Sequence, residues 1–390
     1  MVWPFSDRGS VTAESLLGER ASGRSSGSSS TVSRSQALRN STYWAGLRLR
    51  ADLLSTMPVD VFKRVGGIQV EQVKPPVFQE PGGRECRWVQ FADSTQRDLD
   101  SLGNTVGLIK ALDGFGKPAL IELMAVEQVG VRGKGGKIAE WVIDNKAYDP
   151  MMIWHEKSNP MSGVPLGLSQ TAFGARDINL GLSAKEYASK WFTASPALRA
   201  HLQKTDKTLK PGEARKIKQR FNDQMEDGDL FVSGKDWQYT LLQAAQADHA
   251  WLEQGDATAA DICRFIGVPG DMIDVPTQGS SVTYANITQR NLQLLIINLG
   301  PAIVRREEAW SYGLLPQPRY AKVNPDAILR MDWKSRYEGY KVAIDSRFMA
   351  PSEVRELENR QPFTPDQEAE FARLFANKTG TPTPPTGGTV

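Results

Sequence analysis

Cysteine and histidine are nearly absent from this chain: its 390 residues hold two cysteines, Cys86 and Cys263, and three histidines, His155, His201 and His249. Two thiols cannot build a disulfide framework or a structural zinc site, and both read as packed thiols suited to a reducing compartment. The histidines lie far apart and none has a second ligand at metal spacing, so structural or surface roles are expected of them. Net charge is also small. The 47 Lys and Arg residues stand against 45 Asp and Glu, a formal +2, so no global field advertises nucleic acid or an acidic surface. No run approaches the roughly 20 apolar residues that would span a bilayer, and no signal-like apolar run opens the chain. A soluble, intracellular protein without a membrane partner is expected.

The motifs of common enzymes are missing too. GVRGKGGK, residues 130–137, combines glycine with lysine as a phosphate cradle does. It lacks the GxxxxGK[ST] spacing, however, and it lies between two strand-like segments, so a hairpin turn is the better reading. The hydrolase pattern GxSxG does not occur. Carboxylates are plentiful, but no pair stands out as a general acid and base, and Asp256 and Asp261 sit on a helix with its own packing rationale. No catalytic residue, metal or cofactor is expected.

What is present is enough apolar content, 40%, for a real core in two or three domains or one elongated multi-part subunit. Residues 1–35, with ASGRSSGSSSTVSRS, and 377–390, with KTGTPTPPTGGTV, carry too little apolar surface to offset the entropy of ordering and read as a disordered arm and tail. Trp44, Leu47, Ala51 and Leu54 follow helical spacing up to Pro58. VDVFKR and IQVEQV alternate around Gly66-Gly67, a hairpin with a tight turn. After a Pro-rich link, GNTVGLIKALDGFG reads as a short helix, and PALIELMAVEQVGVR, KIAEWVID and MMIWHEK as strands. An α+β fold class follows.

A long helix is expected over 166–193, capped by Ser169, with Ile178, Leu182, Tyr187 and Trp191 on one side. A charged α/β insertion ends in the strand pair DLFVSG and WQYTLL. The second helix, about 247–266, presents Leu252, Ala259, Ile262 and Ile266 and stops at GVPGD. The polar stretch PTQGSSVTY precedes a third long helix interrupted at Gly300-Pro301, where a proline kinks the axis. RYAKVN and ILRMD read as strands, and Pro351-Ser352 opens a short acidic helix. Within the insertion, Lys204, Lys207, Lys210, Arg215, Lys216, Lys218 and Arg220 face only Asp206 and Glu213. Such a run suits phosphates, but without interleaved aromatics a solvated face or subunit contact is favoured.

Taken in order, these segments resemble the portal proteins of tailed double-stranded DNA phages, of the shorter-chain, lambdoid siphophage type, over about residues 36–370. ALRNSTYWAGLRLRADLLSTMPVDVFKR looks like the family's opening helix and first strand. GVPLGLSQTAFGARDINLGLSAKEYASKWF looks like its "GLSP" helix, with Gln170 for the proline. ADHAWLEQGDATAADICRFIGVPGDMI is similar to the helix that ends in "FGVP". TYANITQRNLQLLIINLGPAIVRREEAWSYGLL resembles the "TYSN.EQ" segment, with Ala285 for serine and Thr288 for the acidic residue. SRYEGYKVAIDSRFMAPSEVRELENRQP resembles the terminal "NEVR" signature, with Ser346-Arg347 where glycine is usual.

The resemblance implies a ring, commonly of twelve subunits, at one vertex of the phage head, with a central channel for DNA. It also implies wing (36–165 and 286–330), stem (166–194 and 243–269), clip (195–242), tunnel loop (270–285) and crown (331–376) parts. Thr277, Gln278, Gly279, Ser280, Ser281, Thr283 and Tyr284 are then the loop that meets passing DNA. The basic run becomes a clip face toward DNA, adaptor or terminase, and Gly300 and Pro301 mark the kinked helix. The implied partners are further copies of the chain, double-stranded DNA, the major capsid protein, the terminase large subunit, a head-tail adaptor and scaffold. A nucleic-acid-processing enzyme of phage origin and a head-tail adaptor ring remain the alternatives.

Overall fold

The computed structural model describes residues 11–12, 32–134, 137–193, 200–204, 212–213, 215–217, 219, 237–241, 247–275, 284–325, 333–358 and 360–375. The chain divides into two compact units, Met1–Pro325 and Asp326–Val390.

The first unit begins with α1 (Arg34–Ala37), capped by Ser33, and α2 (Ser41–Thr56), capped by Asn40, whose Oδ1 accepts from the N–H groups of Thr42 and Tyr43. Helix α2 ends at Met57, immediately before Pro58, which disfavours helical backbone in its predecessor. Its buried side is Tyr43, Leu47, Arg50, Ala51 and Leu54. Trp44 turns outward beneath the Arg97 guanidinium, so Tyr43 takes the inward place in the helical spacing. The expected disordered arm through residue 35 runs too far. Val32 and Ala37 are buried in a core cluster with Tyr43 and Leu47, and Val11–Thr12 (β1) pairs with β6 (Val129–Lys134).

The hairpin reading holds. Strands β2 (Val59–Val65) and β3 (Ile68–Gln72) pair antiparallel around Gly66 (φ +59°) and Gly67 (φ +87°), and β12 (Arg319–Val323) takes the other edge of β2. Between this sheet and the next lies α3 (Trp88–Leu102), within the segment that composition marks only as a link. Its inward face carries Phe91, Ala92, Leu99 and Leu102 at helical spacing, with Thr95, Gln96, Asp98 and Asp100 buried among them, so this stretch is an amphipathic helix and not a link.

GNTVGLIKALDGFG is not a helix. Asn104–Leu112 is β4, the central strand between β5 (Pro118–Met124) and β9 (Ile153–Lys157). Pairing on both edges selects the extended backbone that Thr105, Val106 and Ile109 favour over the helix-favouring Leu108, Lys110 and Ala111, and Gly107 sits where a Cβ would come within 2.4 Å of the Ile121 side chain. In GVRGKGGK, residues 130–134 belong to β6, which pairs antiparallel with β7 (Lys137–Ile143), and Gly135 and Gly136 between them lie outside the described residues; β8 (Lys146–Tyr148) follows. Val106, Leu108, Val129, Val131, Trp141, Ile143, Ile153 and Leu166 join the two sheets in one core.

Helices α4 (Gln170–Phe173) and α5 (Ala175–Thr193) follow, with Ser169 capping α4 through the Ala172 N–H. Helix α6 (Ala247–Ile266) packs beside α5 and α2. Ala175, Ile178, Ile262 and Ile266 share a core with Tyr43 and Leu47, and Gly46 lets α2 approach so closely that a Cβ there would lie 2.8 Å from Ile266. The strand WQYTLL is present as β11 (Trp237–Leu241). Its partner is β10 (Ala200–Lys204), whereas DLFVSG lies outside the described residues.

The third long helix runs as α7 (Tyr284–Gln293), a π-helical turn at Leu294–Leu299, and α8 (Gly300–Gly313). The second unit holds α9 (Trp333–Asp345), α10 (Pro351–Leu357) and α11 (Pro365–Phe375). Glu358 accepts from Arg336 and from the Tyr340 hydroxyl, the latter at 3.1 Å, and Arg355 lies over the Phe363 ring at 3.9 Å. The expected strand ILRMD lies outside the described residues.

Candidate functional site

The candidate residues fall into three groups. Thr277, Gln278, Gly279, Ser280, Ser281 and Thr283 lie outside the described residues, and Tyr284 is the first residue of α7. In the basic run, Lys204 ends β10 opposite Trp237, and Arg215 and Lys216 are helical and exposed; Lys207, Lys210, Lys218 and Arg220 lie outside the described residues. Gly300 and Pro301 open α8, directly after the π turn.

Around that turn the structure gathers residues that the sequence patterns do not single out. Arg50 of α2 grips Asp100 of α3 with two hydrogen bonds, Nε to Oδ2 at 2.9 Å and Nη2 to Oδ1 at 3.1 Å. Its third nitrogen, Nη1, donates to the Asn298 carbonyl at 3.0 Å. The Asn298 Nδ2 in turn donates to the carbonyl of Gly267, just beyond α6, at 2.9 Å. One ion pair therefore meets α2, α3, the end of α6 and the π turn. The planar guanidinium fork is what allows a bidentate grip and a third bond together.

A second pair lies one to two turns along α8. Arg306 Nη1 stands 3.3 Å from Glu156 Oε2 of β9, Nη2 donates to Thr95 Oγ1 of α3 at 2.7 Å, and the guanidinium lies over the Trp310 ring at 4.5 Å. Arg306 and Glu156 are 3% and 5% exposed. Burial pushes the Glu156 carboxyl up to about 7 against the pull of Arg306, and burial likewise lowers the Arg306 guanidinium. Both shifts have the sign of a pair whose desolvation outweighs its mutual attraction. A third pair anchors the start of the fold, where Arg34 of α1 reaches Asp98 at 2.7 Å and Glu127 at 3.6 Å. Burial raises Asp98 to about 6 despite Arg34.

Asn104 closes the corner between β4 and the segment entering α4. Its Nδ2 donates to the Leu102 and Gly167 carbonyls, and its Oδ1 accepts from the Gly167 N–H at 2.8 Å. His155 sits 3.1 Å from the same Oδ1, and burial, with Lys157 next, lowers its pKa to about 4. This histidine has a structural role. Gly103 (φ +74°) and Gly167 cross so closely that a Cβ on either would lie within 2.2 Å of the other strand's backbone oxygen. Among the described residues no group of three His, Cys, Asp or Glu side chains could hold a metal, and no helix is long and apolar enough to cross a membrane.

Signals for these polar contacts are faint. Arg50 falls three residues after Leu47 on an otherwise apolar helix side, and Glu156 alternates with Trp154 in β9. Arg306 shares the inward side of α8 with Ala302, Ile303 and Trp310. Each breaks an apolar pattern at an inward position, which marks burial without naming a partner.

Two long packed helices, a paired-strand insertion between them and a broken helix fixed on an α+β body make up the architecture. The phage portal protein family model matches residues 41–359, and the chain belongs to that family, part of the machinery of DNA packaging and ejection. A probable portal protein of Streptomyces phage phiC31 is 24% identical over 378 residues, covering 90% of this chain and 80% of the relative. The fold is similar to that of an HK97 family phage portal protein from Corynebacterium diphtheriae, with a TM-score of 0.59 and 16% identity over 77% of this chain and 99% of the other. It is also similar to a chain from the neck of an empty gene transfer agent particle with C6 symmetry, with a TM-score of 0.58 and 16% identity over 85% and 95% of the two chains.

Proposed function

We propose that the chain assembles as a ring of twelve subunits at one capsid vertex and lines the channel through which double-stranded DNA passes during packaging and ejection. The observation that carries this reading is the order α5, insertion with β10 and β11, α6, the GVP stop, residues 276–283, and a helix broken before Pro301. An enzyme has no reason to share that order. In this reading residues 166–194 and 243–269, with α5 and α6, are the stem, residues 195–242 the clip, residues 36–165 and 286–330 the wing, and residues 331–376 the crown. The subfamily is the shorter-chain, lambdoid siphophage type.

Thr277 to Tyr284 then contact passing phosphates through small hydroxyl and amide groups, and Gly279 supplies conformational freedom. The near-zero charge suits sliding, because strong phosphate binding would brake the DNA. Lys204 to Arg220 face DNA, adaptor or terminase. The chain hydrolyses nothing; the terminase large subunit docks on it and supplies the motor, and the major capsid protein, head-tail adaptor and scaffold are further partners. The virion vertex is its final location, reached from the host cytoplasm during assembly. Negative-stain imaging of purified protein tests the proposal: rings with a central hole are expected, and monomers or dimers under every condition would sink it.

A further inference from the structure

The π turn is placed where proline chemistry demands a local change. Pro301 has no N–H to donate to the preceding turn, and its ring crowds the carbonyl four residues back. Between Leu294 and Leu299 the backbone widens to π geometry, which accommodates one additional residue in the turn. Leu294, Leu295 and Leu299 face the interior, whereas Ile296 and Ile297 are 61% and 63% exposed. The widened turn is also where the helix is tied down. The Asn298 carbonyl receives Arg50 Nη1 and its Nδ2 holds the Gly267 carbonyl, 31 residues earlier in the chain. Gly267 itself, at φ +73°, closes α6 by donating to Cys263 at 2.9 Å.

We infer that Arg50 and Asn298 are positioning residues that hold the extra residue of the π turn in place and so set the direction of α7 relative to α8. One residue in an α-helix corresponds to about 100° of rotation and about 1.5 Å of rise. Letting the extra residue migrate or leave the turn therefore swings α7 about its axis by a large angle. Asp100 fixes Arg50, Arg50 fixes the Asn298 carbonyl, and Asn298 fixes the end of α6. The end of α6 at Gly267 and the π turn at Asn298 are thus held by one common support. The consequence for DNA, namely where Tyr284 and α7 point in the channel, rests on the ring reading above; the tie itself does not.

Hydrogen-deuterium exchange of the full-length assembled protein tests the tie directly. Asn298→Ala removes only the bond to Gly267. Arg50→Met combined with Asp100→Leu removes the bond to the Asn298 carbonyl while leaving no buried charge without a partner. In both, amides of residues 268–275 and 284–299 are expected to exchange about ten-fold faster, with β4 amides within about two-fold of the parent. Arg50→Lys keeps a charge for Asp100 but loses the fork, and it is expected to loosen 294–299 alone. Unchanged exchange at 284–299 would overturn the inference, and so would equal acceleration in β4, which reports general destabilisation. Should the Arg50 and Asp100 double variant fail to fold, Asn298→Ala decides alone. Ring imaging of the same samples reports separately on the ring reading, so failure of one is not failure of the other.

Discussion

Replacing Arg306 by methionine leaves the Glu156 carboxyl, 5% exposed, without the guanidinium beside it. Removing one partner of such a pair costs about 3–5 kcal/mol, whereas replacing both by well-packed apolar residues is often neutral or stabilising by about 1–4 kcal/mol. The structure indicates which side of that balance applies here. The contact is a single 3.3 Å approach, not a bidentate fork, and burial moves both groups toward their neutral forms. Arg306→Met with Glu156→Leu keeps the volume and retains packing on Trp310. Thr95 keeps its bond to the Phe91 carbonyl at 2.7 Å. We therefore expect each of Arg306→Met and Glu156→Leu alone to lower stability by about 3–5 kcal/mol, and the double variant that combines them to lie within about 1 kcal/mol of the parent or above it. Urea unfolding followed by far-ultraviolet circular dichroism would read these as a double-mutant cycle. Additive losses, with the double variant as unstable as the sum of the single ones, would refute the reasoning.

The same pair predicts a pH dependence. Because the Glu156 pKa rises from 4.5 to about 7 on folding, the folded protein holds a proton that the unfolded chain has released. Its contribution is fully present below 4.5 and lost as pH rises through 7, so the parent should gain on the Met and Leu variant between pH 8 and pH 6; unfolding curves that keep a constant separation would argue against it. Gly103→Ala meets both a positive φ and a backbone oxygen 2.2 Å away and should cost about 3 kcal/mol, while Gly114→Ala, with nothing within 4 Å, should change melting little. Arg34→Ala leaves Asp98 without its closest cation and should open α1 to limited proteolysis while α5 and α6 stay resistant. Deleting Gln278 to Ser281 should leave rings assembled and impair packaging or retention of DNA in a packaging assay; normal packaging would remove the loop from its proposed role.

The elements with one clean apolar side were legible in the residues alone. Helix α2, the β2–β3 hairpin, α5, α6 and the break before Pro301 all carry a period or a turn residue that reports backbone conformation locally. Two elements were misread, for different reasons. Helix α3 follows a Pro-rich link and buries Thr95, Gln96, Asp98 and Asp100 beside Phe91, Ala92, Leu99 and Leu102, so its apolar period is interleaved with polar residues. Strand β4 mixes strand-favouring Thr105, Val106 and Ile109 with helix-favouring Leu108, Lys110 and Ala111, and the strands on both its edges decide between them. The inward place of Tyr43 in α2, in preference to Trp44, likewise depends on Thr171, whose hydroxyl lies 2.6 Å from the Tyr43 oxygen and 128 residues along the chain.

By itself, then, the sequence determined the order of the elements other than α3 and β4, the resemblance to portal proteins, and the positions where the backbone must turn or break. The tertiary structure alone decided which buried polar groups are partners: Arg50 with Asp100, Arg306 with Glu156 and Thr95, Asn298 with Gly267. Local pattern reports that a residue faces inward because burial follows the period of its own element. A charge or amide tolerates that burial only through groups supplied by other elements, and those groups are brought to hydrogen-bonding distance only when the whole chain has folded.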